Sequence, residues 1–245
     1  MTHRSSLRLH RASRTVVSSS RRNRSWRAIP LVQLLMDFAP RGEPMDLTLL
    51  AQFGIEAGDA SGLVEAGWLR QLAGGAFLLR GDSPTPEGTV AFLARKIPGL
   101  HVGGKAALDM QGMRYHVYAR PRMNLWGDVP WDFPEWVREL LLPTYDHERL
   151  FNEGLKAGYA VSPLPARNPG MPVSAPERAI LEHLAGSGQS EMLRDGNASL
   201  VGMLRNFRLN VLQELVDRCV RKDVVWALKL LGEDENFAWA NQLQC

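Results

Sequence analysis

A chain of 245 residues that is 45% hydrophobic, 22% charged and 8% aromatic has the length of one large domain or two small ones, and its composition excludes wholesale disorder, a collagen-like repeat and a coiled-coil rod. Two cysteines, Cys219 and Cys245, build neither a disulfide framework nor a four-cysteine zinc site, so a reducing cytoplasm is the expected setting; no apolar run reaches the roughly 18 residues of a membrane helix, and no membrane contact is expected. The net charge of +3 is unevenly spread: residues 1–30 hold eight arginines and no acid, which leaves residues 31–245 at −5.

Residues 1–25 are rich in Ser, Arg and Thr and lack a helical apolar stripe, so a disordered arm is expected there. No apolar segment follows the arginines, which excludes a secretory signal; a nucleic-acid-binding arm, a dispensable extension and a targeting segment all fit. From Trp26 the pattern changes. Ile29, Leu31, Val32, Leu34, Leu35 and Phe38 recur at three- and four-residue spacings and predict a helix with one buried face. MDLTLLAQFG predicts a second helix, with Leu47, Leu50, Ala51 and Phe53 inward and Gly54 as its stop. AGDASGLVEAG predicts a third, with Ala60, Leu63 and Val64 inward. WLRQLAGGAFLLR reads as a β-hairpin turning at Gly74 and Gly75. Three short helices and a hairpin make a winged helix over residues 26–88, and PTPEG at 84–88 reads as a linker.

Residues 89–245 predict an α+β unit that ends in a helical region, so the expected fold class is α+β, a winged helix-turn-helix followed by a second α+β domain. VAFLARKIP is helical up to Pro98, GGKAALDMQG is a helix flanked by glycines, and MRYHVYA, RMNLWG and LKAGYAVSPL read as strands. Ser174 and Glu177, three apart ahead of AILEHLA, predict a capping box with Pro176 in the first turn. Residues 210–220 and 223–231 predict two further amphipathic helices.

The segment GLHVGGKA at 99–106 fits the phosphate-loop pattern G-x-x-x-x-G-K, but Ala106 stands where the Mg²⁺-ligating hydroxyl belongs and a helix, not a strand, precedes it. Its expected role is a tight turn into a helix, with Lys105 exposed. The six histidines are scattered, and the position four after His147 is Phe151, so no zincin motif exists. Neither E-x-K nor G-x-S-x-G occurs. No catalytic residue, cofactor or metal ligand is assigned. Among the tryptophans, Trp68 is expected to seal the hairpin against the third helix and Trp226 to lie on a helix's apolar face, while Trp126, Trp131 and Trp136 fall in a proline-interleaved loop.

In a winged helix the third helix enters the major groove and the hairpin meets the neighbouring backbone. Here the third helix turns Gly58, Asp59, Ser61, Gly62 and Glu65 outward, with no Arg or Lys to read guanine or phosphate. Residues 31–94 set three arginines, Arg41, Arg70 and Arg80, against eight acids. DNA contacts are therefore expected from Arg41, Ser61, Arg70 and Gln71, and above all from the arm, Arg24 and Arg27 included, which suits a minor groove. The same charge balance leaves open a module used only for protein contact.

Four strings occur in order: GWLRQLAGGAFLL, LHVGGKAALDMQG, VPWDFPEWV and VSAPERAILEHL. Together they resemble the AbiEi family of abortive-infection antitoxins, the regulators of type IV toxin–antitoxin systems, over residues 28–243; GGKAAL with its following QG, and SAPERAILE, are the most specific parts. The resemblance implies an N-terminal winged helix that binds inverted repeats in double-stranded promoter DNA. It also implies a C-terminal domain that neutralises a nucleotidyltransferase toxin encoded alongside, with or without direct contact, and no catalysis. The domains expected are then an arm at 1–25, a winged helix at 26–88 and an antitoxin domain at 89–245.

Overall fold

The computed structural model describes residues 30–113, 122–187 and 198–244, and the fold is α+β. Helix α1, residues 30–38, turns Val32 and Leu35 inward, with Ala39 just beyond it. Leu34 and Phe38, four apart, form a second stripe that faces solvent, with Phe38 70% exposed; apolar periodicity identified the helix but overstated its buried face. Asp46 caps α2 (Leu47–Gln52) by accepting from Leu49 N at 2.7 Å. This helix buries Leu50, whereas Leu47 and Ala51, expected inside, are exposed. Helix α3 (Ala57–Glu65) starts from a reciprocal capping box between Glu56 and Asp59 and buries Ala60 and Leu63.

Strands β1 (Leu69–Leu72) and β2 (Ala76–Leu79) pair antiparallel, Leu69 opposite Leu79 and Leu72 opposite Ala76. The turn between them runs through Gly74 and Gly75, both at positive φ, where a Cβ would be strained. On its other side β2 exchanges two 2.8 Å hydrogen bonds with Met45, through Phe77, so all four β2 residues are buried. Val32, Leu35, Leu50, Ile55, Leu63, Leu69, Phe77 and Leu79 join in one apolar cluster. Trp68 stays outside it, 47% exposed; Leu69, the next residue along the strand, is the one that seals.

The stretch read as a linker is instead the capped first turn of α4 (Pro86–Lys96): Thr85 Oγ1 accepts from Gly88 N at 3.1 Å and Pro86 takes a first-turn position that needs no N–H partner. Helix α4 opens a second, larger core through Val90, Phe92, Leu93 and Ile97.

That core lies around a five-stranded sheet of order β5-β4-β3-β7-β6, made of β3 (His101–Val102), β4 (Asn124–Trp126), β5 (Thr144–Asp146), β6 (Val161–Ser162) and β7 (Val173–Ser174). Strand β3 runs antiparallel to β4 and parallel to β7; β4 is parallel to β5, and β6 antiparallel to β7. Between β3 and β4 stands α5 (Gly104–Leu108), which continues into a π-type turn over Asp109–Met113; α6 (Glu135–Leu141) leads into β5. Then come α7 (Pro176–Ser187), α8 (Ala198–Arg205), α9 (Leu209–Arg218) and α10 (Lys222–Asp234). Helix α7 is the hub, packing on α5, α8, α9 and α10.

Several expectations change here. Most of MRYHVYA lies outside the described residues, and LKAGYAVSPL contributes only Val161 and Ser162 to a strand. The proline-interleaved stretch is ordered into elements: Trp126 belongs to β4 and Trp136 to α6. Trp226 is 59% exposed, and the buried indole of the C-terminal region is Trp239, whose Nε1 donates to Leu204 O at 2.6 Å.

Candidate nucleic-acid interface

Of the six residues expected to touch DNA, Arg24 and Arg27 lie outside the described residues. The structure brings two of the others together. Asp82, just past the hairpin, accepts from Arg41 Nη1 at 3.0 Å and from Gly42 N at 3.2 Å through its carboxylate, while its carbonyl accepts from Arg70 Nη2 at 3.3 Å. Both guanidiniums sit at the surface on one residue, Arg41 on its carboxylate and Arg70 on its carbonyl, so each has donors to spare. Ser61 is exposed on α3, with its hydroxyl donating to Ala57 O at 3.1 Å, and Gln71 is exposed opposite Phe77; no hydrogen bond joins either of them to the Asp82 group. The outer face of α3 carries no basic side chain, as its sequence requires.

The tip of the hairpin is not free. Trp136 Nε1, from α6, donates to Ala73 O at 3.1 Å, and Lys96 Nζ, from the end of α4, donates to Gly74 O at 2.6 Å. A Cβ at Gly74 would come within 2.9 Å of Pro134 Cγ. Nearer the helices, buried Glu43 accepts from Arg95 and, at 2.8 Å, from Asn168 Nδ2. The two cores are thus fastened to each other through the hairpin and through Glu43. Sequence inspection placed Trp136 in a proline-interleaved loop and did not single out Lys96 or Glu43, because each acts on a partner distant in the chain.

The most specific sequence strings converge elsewhere, on Glu182. Its side chain is fully buried and accepts from His101 Nε2 at 2.8 Å, Arg178 Nε at 2.7 Å, Ser174 Oγ at 2.8 Å and Gly104 N at 3.2 Å. His101 Nδ1 lies 2.7 Å from Gly99 O, so both ring nitrogens stand beside an oxygen. Burial pushes the Glu182 carboxyl up, but His101 and Arg178 outweigh it and hold the group below the ordinary carboxylate value. A Cβ on Gly103 would land on the Glu182 carboxylate and the Trp126 ring. HVGGK and SAPERAILE therefore meet as the two halves of one buried cluster.

Two expectations are settled by that cluster. The glycine turn at 103–104 opens a helix, and two of the N–H groups at its start are engaged by side chains, Gly104 N by Glu182 and Ala106 N by Asn124 Oδ1 at 3.0 Å. Lys105 is a half-exposed surface residue 3.4 Å from Asp109. The expected capping box at Ser174 and Glu177 is replaced by tertiary bonds: Ser174 turns to Glu182, and Glu177 accepts from Arg208 N, Nε and Nη2, each at 2.9 Å. Burial raises the Glu177 carboxyl, and the Arg208 hydrogen bonds bring it below its ordinary value.

A helix-and-hairpin unit fastened to a larger α+β unit is the build of a two-part transcriptional regulator, and the sequence comparisons agree. Residues 30–119 match the N-terminal domain of AbiEi antitoxin transcriptional regulators, and residues 120–245 match the AbiEi antitoxin transcriptional regulators of type IV toxin–antitoxin systems. The chain belongs to the AbiEi antitoxin family. The seam between the two matches falls between β3 and β4, which pair directly, so the sequence division does not follow the sheet. In fold the chain is similar to the crystal structure of the RV2827C protein from Mycobacterium tuberculosis, with a TM-score of 0.57 and 18% identity over 89% of this chain and 80% of that one. No curated protein matches the chain. Among the described residues no helix is long and apolar enough to cross a membrane, and no group of three or more His, Cys, Asp or Glu is placed to hold a metal.

Proposed function

We propose that the protein is a DNA-binding autorepressor and antitoxin of a type IV system. Residues 26–88 act as a winged helix on inverted repeats in its own promoter, and residues 89–245 neutralise a cognate nucleotidyltransferase toxin in the cytoplasm. The observation that carries the DNA reading is the pair of exposed guanidiniums at Asp82: Arg41 and Arg70, 29 positions apart in the chain, share one surface at the base of the hairpin. In a region whose charge is otherwise acidic, those cations and the arginine arm are the groups that would meet phosphate. The toxin reading rests on the family.

The test is the salt dependence of operator binding by the whole chain and by a chain lacking residues 1–25. Each neutralised phosphate adds about 0.9 to the slope of log affinity against log salt. The expected result is a markedly flatter slope without the arm, and a smaller residual slope that Arg41 and Arg70 supply. Equal slopes would show the arm to be only an extension.

A second reading, a protein-interaction module that no longer reads DNA sequence, is favoured by the docked hairpin tip. Lys96 and Trp136 occupy the Ala73 and Gly74 carbonyls at the end of the hairpin that a wing would offer to the backbone.

A further inference from the structure

Beyond the DNA face, an open cleft of about 680 Å³ lies beside β5, the edge strand of the sheet, between the 130–133 loop and the end of α6. Its volume is in the range of ligand sites, about 300–1,000 Å³. The lining holds Arg122, Arg138 and His147 and no carboxylate, in a region, residues 95–245, where basic and acidic residues are equal at 18 each. Arg122 is exposed and makes no ion pair among the described residues. Arg138 reaches only Asp132, outside the lining and 91% exposed; a pair that wet holds its guanidinium weakly and leaves it free to change partner.

The walls are aromatic. Phe133 meets Tyr145 edge-on at 5.2 Å, and Tyr145 stacks with His147 at 6.0 Å and 21°. Tyr145 OH donates to Val129 O at 2.5 Å, and burial, with a smaller push from Asp128, raises the phenol above its ordinary value, keeping it a neutral donor. Trp131 stands on the facing loop, 39% exposed. At the rim Leu142 holds a left-handed conformation, φ 44°, at the end of α6. Such strain in a non-glycine residue is retained where surrounding structure fixes it, and it clusters at ligand sites.

We propose that this cleft binds a nucleotide, its phosphate between Arg122 and Arg138 and its base against Trp131. Guanidiniums lining one cleft suit phosphate oxygens, and an exposed indole in the same lining supplies the π-face on which any base stacks. The ligand is a free nucleotide or a nucleotide of a single-stranded nucleic acid; both present the same ring and phosphate.

The experiment titrates the full-length protein, in buffer near physiological salt, with AMP, UMP, inorganic phosphate and an eight-nucleotide single-stranded oligo(U), followed by calorimetry and tryptophan fluorescence. Saturable AMP binding is expected, weakened about tenfold by Arg122→Gln and by Arg138→Gln, the loss of a charge-assisted hydrogen bond. Trp131→Phe should weaken AMP but not phosphate. Lys105→Ala, outside the cleft lining, should change nothing. Thermal melts of each variant must match wild type, as expected for exposed side chains. Oligo(U) binding more tightly than AMP, with the same sensitivity to Arg122→Gln, identifies single-stranded nucleic acid as the source; equal or weaker binding identifies the free nucleotide. The proposal is overturned if no mononucleotide binds, if AMP binding survives both arginine substitutions, or if phosphate alone binds as tightly as AMP.

Discussion

Two places in this molecule gather basic side chains around one acidic residue and differ in their access to water. Asp82 receives Arg41, its side chain 54% exposed, on its carboxylate and the exposed Arg70 on its backbone carbonyl; Glu182 receives Arg178 and His101 with its own side chain fully out of water. Exposed pairs are worth roughly 0–1 kcal/mol and exchange partners readily. A buried carboxylate with all its lone pairs engaged cannot be removed without stranding the charges that faced it. The Asp82 group therefore suits a ligand that comes and goes, and the Glu182 group fixes how β3, α5, β7 and α7 sit together.

The largest effect follows directly. Glu182→Ala leaves Arg178 and His101 without their shared anion and should cost about 3–5 kcal/mol, seen as a large drop in the urea midpoint or outright failure to fold. Glu182→Gln keeps hydrogen-bonding atoms near Ser174 and Gly104 and should lose less. Asp82→Ala loses one half-exposed pair and the acceptor for Gly42 N and should move the midpoint by about 1–2 kcal/mol. Comparable losses at both carboxylates would break the contrast.

Acid should expose the same asymmetry. Glu177 and Glu182 both have folded-state carboxyls held below their ordinary value of 4.5. A depressed carboxyl contributes stability above its unfolded value, and that contribution is lost as pH falls through the unfolded value toward the folded one. Unfolding free energy measured by urea from neutral pH downward should thus decline as the carboxylate range is approached. Glu182→Gln and Glu177→Gln should each flatten that decline. An unaltered pH profile in both variants would mean the acid sensitivity lies elsewhere.

A smaller effect is expected at the seam between the cores. Trp136→Phe keeps the ring near Phe92, 6.2 Å away, but removes the donor to Ala73 O, a loss of about 1 kcal/mol. Amide exchange should rise through residues 69–79 while α7 stays protected, because the hairpin tip loses one of its two anchors. Faster exchange spread evenly over both cores would show that they open as one unit.

What the sequence revealed divides along the same line. Helices α3, α4, α9 and α10, and the hairpin, were legible from periodicity, breakers and the Gly74–Gly75 turn, all of them local signals. Arg70 and Gln71 are both exposed although successive strand residues face opposite sides, so alternation accounts for only one of them. Side chains whose partners are remote were not legible. Ser174 and Glu177 have the spacing of a cap, yet Glu182, eight positions beyond Ser174, and Arg208, 31 beyond Glu177, draw them away. Phe38, Trp68 and Trp226 are apolar residues left on the surface, since residue type alone does not say which helix face or strand end meets the core. The convergence of Arg41 on Asp82 closes a 41-residue separation that no local pattern encodes.

The smallest effect on the fold is predicted where the effect on function should be clearest. Arg70 bonds only a backbone carbonyl at the surface, so Arg70→Ala should cost the fold under about 0.5 kcal/mol. If a phosphate replaces Asp82 as its partner, the same change should weaken operator binding and flatten the salt slope by about 0.9, with Arg41→Ala doing the same. Asp82→Ala sharpens the argument by acting in the opposite direction. It removes the carboxylate that competes with DNA for Arg41 and takes one negative charge from an acidic face, so affinity for the operator should rise. Weaker binding in Asp82→Ala would mean that the carboxylate orients the arginines rather than competing for them. Unchanged gel shifts in all three variants would leave the helix-and-hairpin unit without a role at DNA and favour the protein-interaction reading.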